Sequence, residues 1–295
     1  MSRFARFTAF ACFLLVIAGG LVTSTDSGLA VPDWPLSYGT LFPPMVGGIL
    51  YEHGHRLIAG AVAILTVILA IAVQRREPRQ WVRRLAWGAV GLVLAQAGLG
   101  GATVLLQLPS VVSVSHACLG QTFFATLLTL AVVLQPGWKT EWPAPAGPLD
   151  ADAYDRQVGL LRLAGFTTAA VFIQLLLGAL MRHVGWLPHL LLTHLAWAAV
   201  TTVLIAKIAR RVSKEQAGNR FLTRPAAMLG WGILLQWGIG IATLFSGAAV
   251  AIATAHVAVG AALLGSGAVL TTGLFRVTYE ISGPIAEALQ QEAAR

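Results

Sequence analysis

The chain has 295 residues, of which 57% are hydrophobic and only 11% charged, and its mean hydropathy is +0.75. A soluble domain this apolar cannot cover its surface with polar groups, so the composition excludes one and points to an integral membrane protein surrounded by lipid. The formal charge of +8 lies in short loops between apolar runs, where Lys and Arg set topology, so no nucleic-acid partner is expected.

Eight apolar runs are long enough to cross about 30 Å of hydrocarbon as helices, near residues 4–23, 52–73, 85–106, 111–134, 160–180, 190–208, 226–245 and 249–270. Lipid cannot satisfy open backbone groups, so each run is expected to be helical and the fold all-α. The first run follows Arg3 and Arg6. It is long, and the stretch after it, from Ser27 to Ala30, makes a weak cleavage site, so it reads as a retained helix rather than a signal peptide. Cys12 and Cys118 fall inside apolar runs and read as small core residues, with no disulfide framework.

Arg75, Arg76, Arg79, Arg83 and Arg84 cluster after the second run. Lys207, Arg210, Arg211, Lys214, Arg220 and Arg224 cluster between the sixth and seventh. The opposite side holds only Arg56 and Arg182, so both termini are expected in the cytoplasm of a multi-pass protein. The Pro- and Asp-containing stretch 136–157 reads as a cytoplasmic linker between two halves, 1–135 and 158–274, with a polar cytoplasmic tail over 275–295. The first outer loop, rich in Pro, Gly and Trp, is long, and long ordered loops often serve as lids or binding surfaces.

The halves repeat. His55 and His116 are 61 residues apart, His194 and His256 are 62 apart, and the two pairs are offset by 139 and 140 residues. Gln96, Gln174 and Gln236 each precede a histidine by 20 residues, in the contexts QAGLGGAT, QLLLGALM and QWGIGIAT. The first hairpin keeps only the small-residue part, Gly19-Gly20-Leu21-Val22-Thr23. The expectation is two duplicated four-helix bundles with histidines on helices 2, 4, 6 and 8 and glutamines bonding across helices. His55 and His194 are expected just inside their helices, His116 and His256 about two turns in.

Imidazoles are costly in lipid, and four at repeated positions imply function. Facing histidines in a bundle can grip a flat metal cofactor from both sides, as haem iron requires. Zinc is the weaker reading, because it needs four ligands together. His53, His183 and His189 do not repeat and read as outer-surface or loop residues. Arg56 and Arg182 are candidate partners for haem propionates or anchors at the interface. Glu52 stands three residues before His55 and has no counterpart before the other three histidines. It is either an acid acting beside a reacting group or one that offsets the helix dipole.

Glu52-His53-Gly54-His55-Arg56 resembles the E-x-x-H-R motif of haem A synthases, and Gly28-Leu29-Ala30-Val31-Pro32-Asp33-Trp34-Pro35 resembles their first outer loop. Such enzymes of the bacterial plasma membrane oxidise the C8 methyl group of haem O to the formyl group of haem A, which serves haem-copper terminal oxidases. The resemblance implies that His194 and His256 hold a resident haem b, that His55 and His116 hold the substrate haem O, and that Glu52 is catalytic beside it. It also implies oxidation to an alcohol and then to a hydrated aldehyde that loses water, with electrons from a ferredoxin-type donor. Hand-over from a haem O synthase and self-association stay open. Many bacterial relatives carry a cysteine pair in this loop, one near the position of Ser37. This loop has none, so a redox-active disulfide there is excluded. The rival readings are a di-haem b-type electron-transfer cytochrome, which leaves Glu52 and the long loop unexplained, and a transporter, which calls for mid-depth polar sites.

Overall fold

The computed structural model describes residues 1–140 and 151–282. Among the described residues, eight helices are long and apolar enough to cross a membrane. They are α1 (Ser2–Ser24), α2 (Gly48–Arg76), α3 (Gln80–Leu105), α4 (Ser110–Val133), α5 (Ala151–Val184), α6 (Pro188–Glu215), α7 (Arg220–Phe245) and α8 (Val250–Phe275). A single helical turn, Gly137–Thr140, follows α4, and a π-helix, Arg276–Ser282, continues α8. Among the described residues there is no strand, as the hydropathy pattern requires.

The helices run past the apolar windows because their ends use interfacial chemistry. Pro188 opens α6 at a position where its missing N–H is no loss. Asn219 caps α7 by accepting the Phe221 N–H at 3.1 Å. Arg75 and Arg76 sit in the last turn of α2, where they favour the negative end of the dipole.

Each half closes as a ring of four. Helices α1, α2, α3 and α4 pack in sequence and α4 returns to α1, while α5 to α8 do the same. The halves join where α8 meets α1 and α4, and where α4 meets α5. Lipid supplies no hydrophobic drive between helices, so close packing of small residues must hold this seam. Gly20 of α1 lies against Thr254 and Val257 of α8, and Gly265 of α8 lies against Leu128 and Phe124 of α4.

The packed core sits at one end of each ring. In the first half it comprises Ala5, Ala9 and Cys12, Val62 to Val73, Val82 to Val93, and Phe123 to Leu134. In the second it runs through Leu160, Ile205, Ile208, Leu222, Leu229, Leu264 and Leu274. These are the starts of odd-numbered helices and the ends of even-numbered ones, which is the end bearing the arginine clusters. The histidines lie at the other end.

Two boundaries differ from expectation. Helix α5 begins at Ala151, inside the stretch read as linker, and that stretch opens with the turn Gly137–Thr140; its residues 141–150, and residues 283–295 of the tail, lie outside the described residues. The tail does not leave the protein at 275. Arg276 is buried, its guanidinium lies 4.8 Å over the Trp138 ring, and Val277 and Thr278 are buried beside it. A cation over an indole face, with its stem packed, holds this segment on the bundle.

A candidate cofactor site of paired histidines

Four helical hairpins present the same local arrangement. His116, His194 and His256 each stand six residues after the first residue of their helix, and His55 stands seven after Gly48. All four are therefore about two turns deep. The expected shallow placement of His55 and His194 is wrong, because α2 and α6 start earlier than their apolar windows, at Gly48 and Pro188.

A glycine lies at matching depth on the preceding antiparallel helix. A Cβ on Gly19 would stand 3.1 Å from His55 Cε1, on Gly100 3.2 Å from His116, on Gly178 3.3 Å from His194, and on Gly240 3.1 Å from His256. Each imidazole thus packs edge-on to a bare backbone, and a side chain there would crowd the ring. The hairpin turns show the duplication directly. Gln107 and Leu108, and 140 residues on Gly247 and Ala248, all have positive φ near 60°. Leu108 N–H donates to Thr103 O at 2.7 Å, and Ala248 N–H donates to Thr243 O at 2.8 Å.

Three of the rings carry a glutamine. Gln96 Nε2 donates to the backbone carbonyl of His116 at 2.9 Å and lies 3.3 Å from its Nε2. Gln174 does the same to His194 at 3.1 and 3.0 Å, and Gln236 to His256 at 3.1 and 3.3 Å. Nδ1 of all four histidines is buried without a hydrogen-bond partner, as is Oε1 of all three glutamines. The His194 and His256 ring centres are 6.5 Å apart with planes inclined by 53°. Among the described residues no three His, Cys, Asp or Glu side chains gather into a metal cluster.

The loop between α1 and α2 is bound to the start of α2. Glu52 is 4% exposed, accepts the Val31 N–H at 2.8 Å and pairs with Arg56. Arg56 Nη1 donates to the carbonyls of Asp33 (2.7 Å) and Leu36 (2.8 Å), and its Nη2 reaches Val31 O at 3.4 Å. Arg56 therefore faces the loop, whereas the sequence offered it as a propionate partner or an anchor. Glu52 is not in the first turn of α2, which starts at Gly48, so dipole compensation does not account for it. Asp33 accepts the N–H groups of Gly39 (2.8 Å) and Tyr38 (2.7 Å), which hold its carboxyl below the usual range. The Trp34 indole lies on Gly101 of α3, where a Cβ would come within 2.7 Å of it.

His53 corrects another expectation. It is 5% exposed rather than on the surface, and its Nδ1 shares a 2.7 Å hydrogen bond with the buried Ser37 hydroxyl. Its place on an outer helix end suggested exposure, but the loop covers it. His183 is half-buried at the end of α5, where its carbonyl accepts from Ser110 at 2.8 Å; His189 is exposed. Arg182, also half-buried, donates to Ser24 Oγ at 2.8 Å across the seam between halves. The four glycines opposite the histidines escaped sequence reasoning as ring contacts. Their fixed place five or six residues before the helix ends carries the signal.

The COX15-CtaA family model, described as cytochrome oxidase assembly protein, matches residues 2–48 and 46–189. The heme A synthase of Symbiobacterium thermophilum is 32% identical over 174 residues, covering 58% of this chain and 56% of that protein. The heme A synthase of Exiguobacterium sibiricum is 30% identical over 189 residues, covering 63% and 60%. That of Bacillus pumilus is 30% identical over 137 residues, 45% of each. The chain spans about half the length of the curated relatives it matches. With its eight apolar helices and the family match running through Glu52, His55 and His116, the chain belongs to the COX15-CtaA family of cytochrome oxidase assembly proteins.

Proposed function

We propose that this chain is a haem A synthase, oxidising the C8 methyl group of haem O to the formyl group of haem A. The observation that carries this reading is the family match across residues 2–189, which takes in Glu52, His55 and His116 and the loop bound to them. His194 and His256 enter through the internal duplication.

The paired histidines fit haem. A metal–imidazole bond of about 2 Å on each side of one iron sets ring centres roughly 6 Å apart, and His194 and His256 stand at 6.5 Å. A glycine opposite each ring lets the imidazole seat against bare backbone, and each ring retains a buried nitrogen with no protein partner. When bound, haem supplies electron transfer and oxidising power.

The roles of the residues follow. His194 and His256 hold a resident haem b, and His55 and His116 hold the substrate. Glu52 places a carboxylate beside the substrate half, where it takes up a proton or stabilises positive charge. The Val31 N–H and Arg56 fix that carboxylate and tie it to the loop. Arg182, half-buried at the seam, is the propionate partner, while Arg56 positions the loop. The arginine clusters at the core end support cytoplasmic termini in a bacterial plasma membrane, with a ferredoxin-type donor acting from that side.

Pigments extracted after expression with a haem O source and identified by mass test the reading. Haem A supports it. Unchanged haem O beside a bis-histidine spectrum would instead assign a di-haem electron-transfer cytochrome, and the absence of any haem band would end both.

A further inference from the structure

We infer that the arginine-bearing end of the α2–α3 hairpin binds the phosphate of an anionic phospholipid, in a cavity lined by Gln74, Gln80, Arg83, Arg84 and Trp87. The cavity has a volume of about 340 Å³. A topology signal needs only positive charge in a loop. Here the charge is built into a cavity wall, far from the histidines, and the site stands or falls independently of the haem reading.

Between Gln74 and Trp87 the chain carries five arginines and one acid, Glu77. Arg79 engages that acid, its Nε and Nη2 donating to Glu77 at 2.7 and 3.1 Å. Arg83 donates from Nη2 to Pro78 O at 2.9 Å, and its Nε is buried without a partner. Arg84 is exposed and forms no ion pair among the described residues. Helix α3 opens at Gln80 with no side-chain cap, so the positive end of its dipole adds to the charge. Trp87 Nε1 donates to Gln74 Oε1 at 3.3 Å and ties the two helices together across the cavity. That bond leaves the Gln74 amide N–H groups as donors. Two guanidinium groups and two amides thus offer what the oxygens of a phosphate diester accept.

Depth and surroundings identify a lipid as the source of that phosphate. The apolar runs of these helices cover 52–73 and 85–106, so the cavity sits at headgroup level, with an indole at the boundary where tryptophan is favoured. Beyond it an exposed apolar strip continues on both helices. Ile71, Ile68 and Ile64 follow Gln74 along one face of α2, and Leu94 follows Trp87 on α3. A Cβ on Gly88 or Gly91 would meet nothing within 4 Å, so α3 leaves room there for an acyl chain. Basic pockets between membrane helices take anionic headgroups in this way. A free phosphate or an acidic soluble protein would meet the donors and leave the strip unused.

Native mass spectrometry of the full chain in detergent, titrated with phosphatidylglycerol, tests the site. One lipid is expected to bind ahead of the rest, a preference that phosphatidylcholine does not show. Arg83→Gln with Arg84→Gln is expected to weaken that first binding by about 10–30-fold, the scale of two basic contacts to an anionic headgroup. Arg75→Gln with Arg76→Gln removes the same charge outside the cavity and is expected to leave the first binding unchanged. Equal weakening by both pairs overturns the inference, since overall charge would then suffice. Displacement of the lipid by inorganic phosphate overturns it in favour of a free-anion site, and so does the absence of any preferred lipid. Should the double variant fail to fold, Arg84→Gln alone is expected to weaken the first binding about fivefold, and an unchanged affinity overturns the inference.

Discussion

The two halves use one hairpin plan and differ at its histidine-bearing end. The carboxy-terminal half joins α5 to α6 through residues 185–187, while the amino-terminal half joins α1 to α2 through residues 25–47. Despite the insertion, Gly19 meets His55 as closely as Gly178 meets His194. The duplication thus preserves ring placement and varies what covers it. In one half the cover is a short turn. In the other it is a loop fastened by Glu52, Arg56, Ser37 and His53, with Trp34 seated on α3.

The sharpest break in this comparison is His194→Ala. If the carboxy-terminal pair holds the haem proposed above, loss of that haem and of conversion together is expected, read by the reduced visible spectrum and by pigment mass. Full conversion with an empty carboxy-terminal half would refute the division of labour. Next, Glu52→Ala is expected to keep haem bound while conversion falls by about 100-fold or more, the usual scale for losing an acid–base group. Glu52→Gln, which retains an acceptor for the Val31 N–H, separates loss of charge from loss of loop anchoring. A normal haem A yield from both would remove Glu52 from the chemistry. A smaller effect is expected for Gly240→Ala, whose Cβ would stand 3.1 Å from His256 and push the ring by tenths of an ångström. It should alter the low-spin signal of the carboxy-terminal haem and spare the other. The smallest is Ser37→Ala, which removes the His53 partner and should loosen the first loop by about 1 kcal/mol, read as faster hydrogen exchange over residues 25–47.

Eight helices and the duplicated histidines were legible in the sequence because hydropathy and a near-constant 139–140 spacing are local, countable patterns. The shared depth of the histidines was not, because α2 starts four residues and α6 two residues before the windows that hydropathy draws, at Gly48 and Pro188. His53 misled for a related reason: exposure at a helix end depends on what the preceding loop does, and the sequence does not draw the path from Val31 to Ser37. The orientation of Arg56 toward backbone carbonyls was equally hidden, since carbonyl acceptors leave no trace in residue identity. The role of Arg276 against Trp138 joins residues far apart in the chain that no repeat connects.

The core of each half lies wholly beneath the histidine level and is built from the chain's own aliphatic and aromatic groups. The order of biogenesis follows. The polypeptide can insert and consolidate in the bilayer as an apoprotein, and acquire pigment afterwards without having to fold around it.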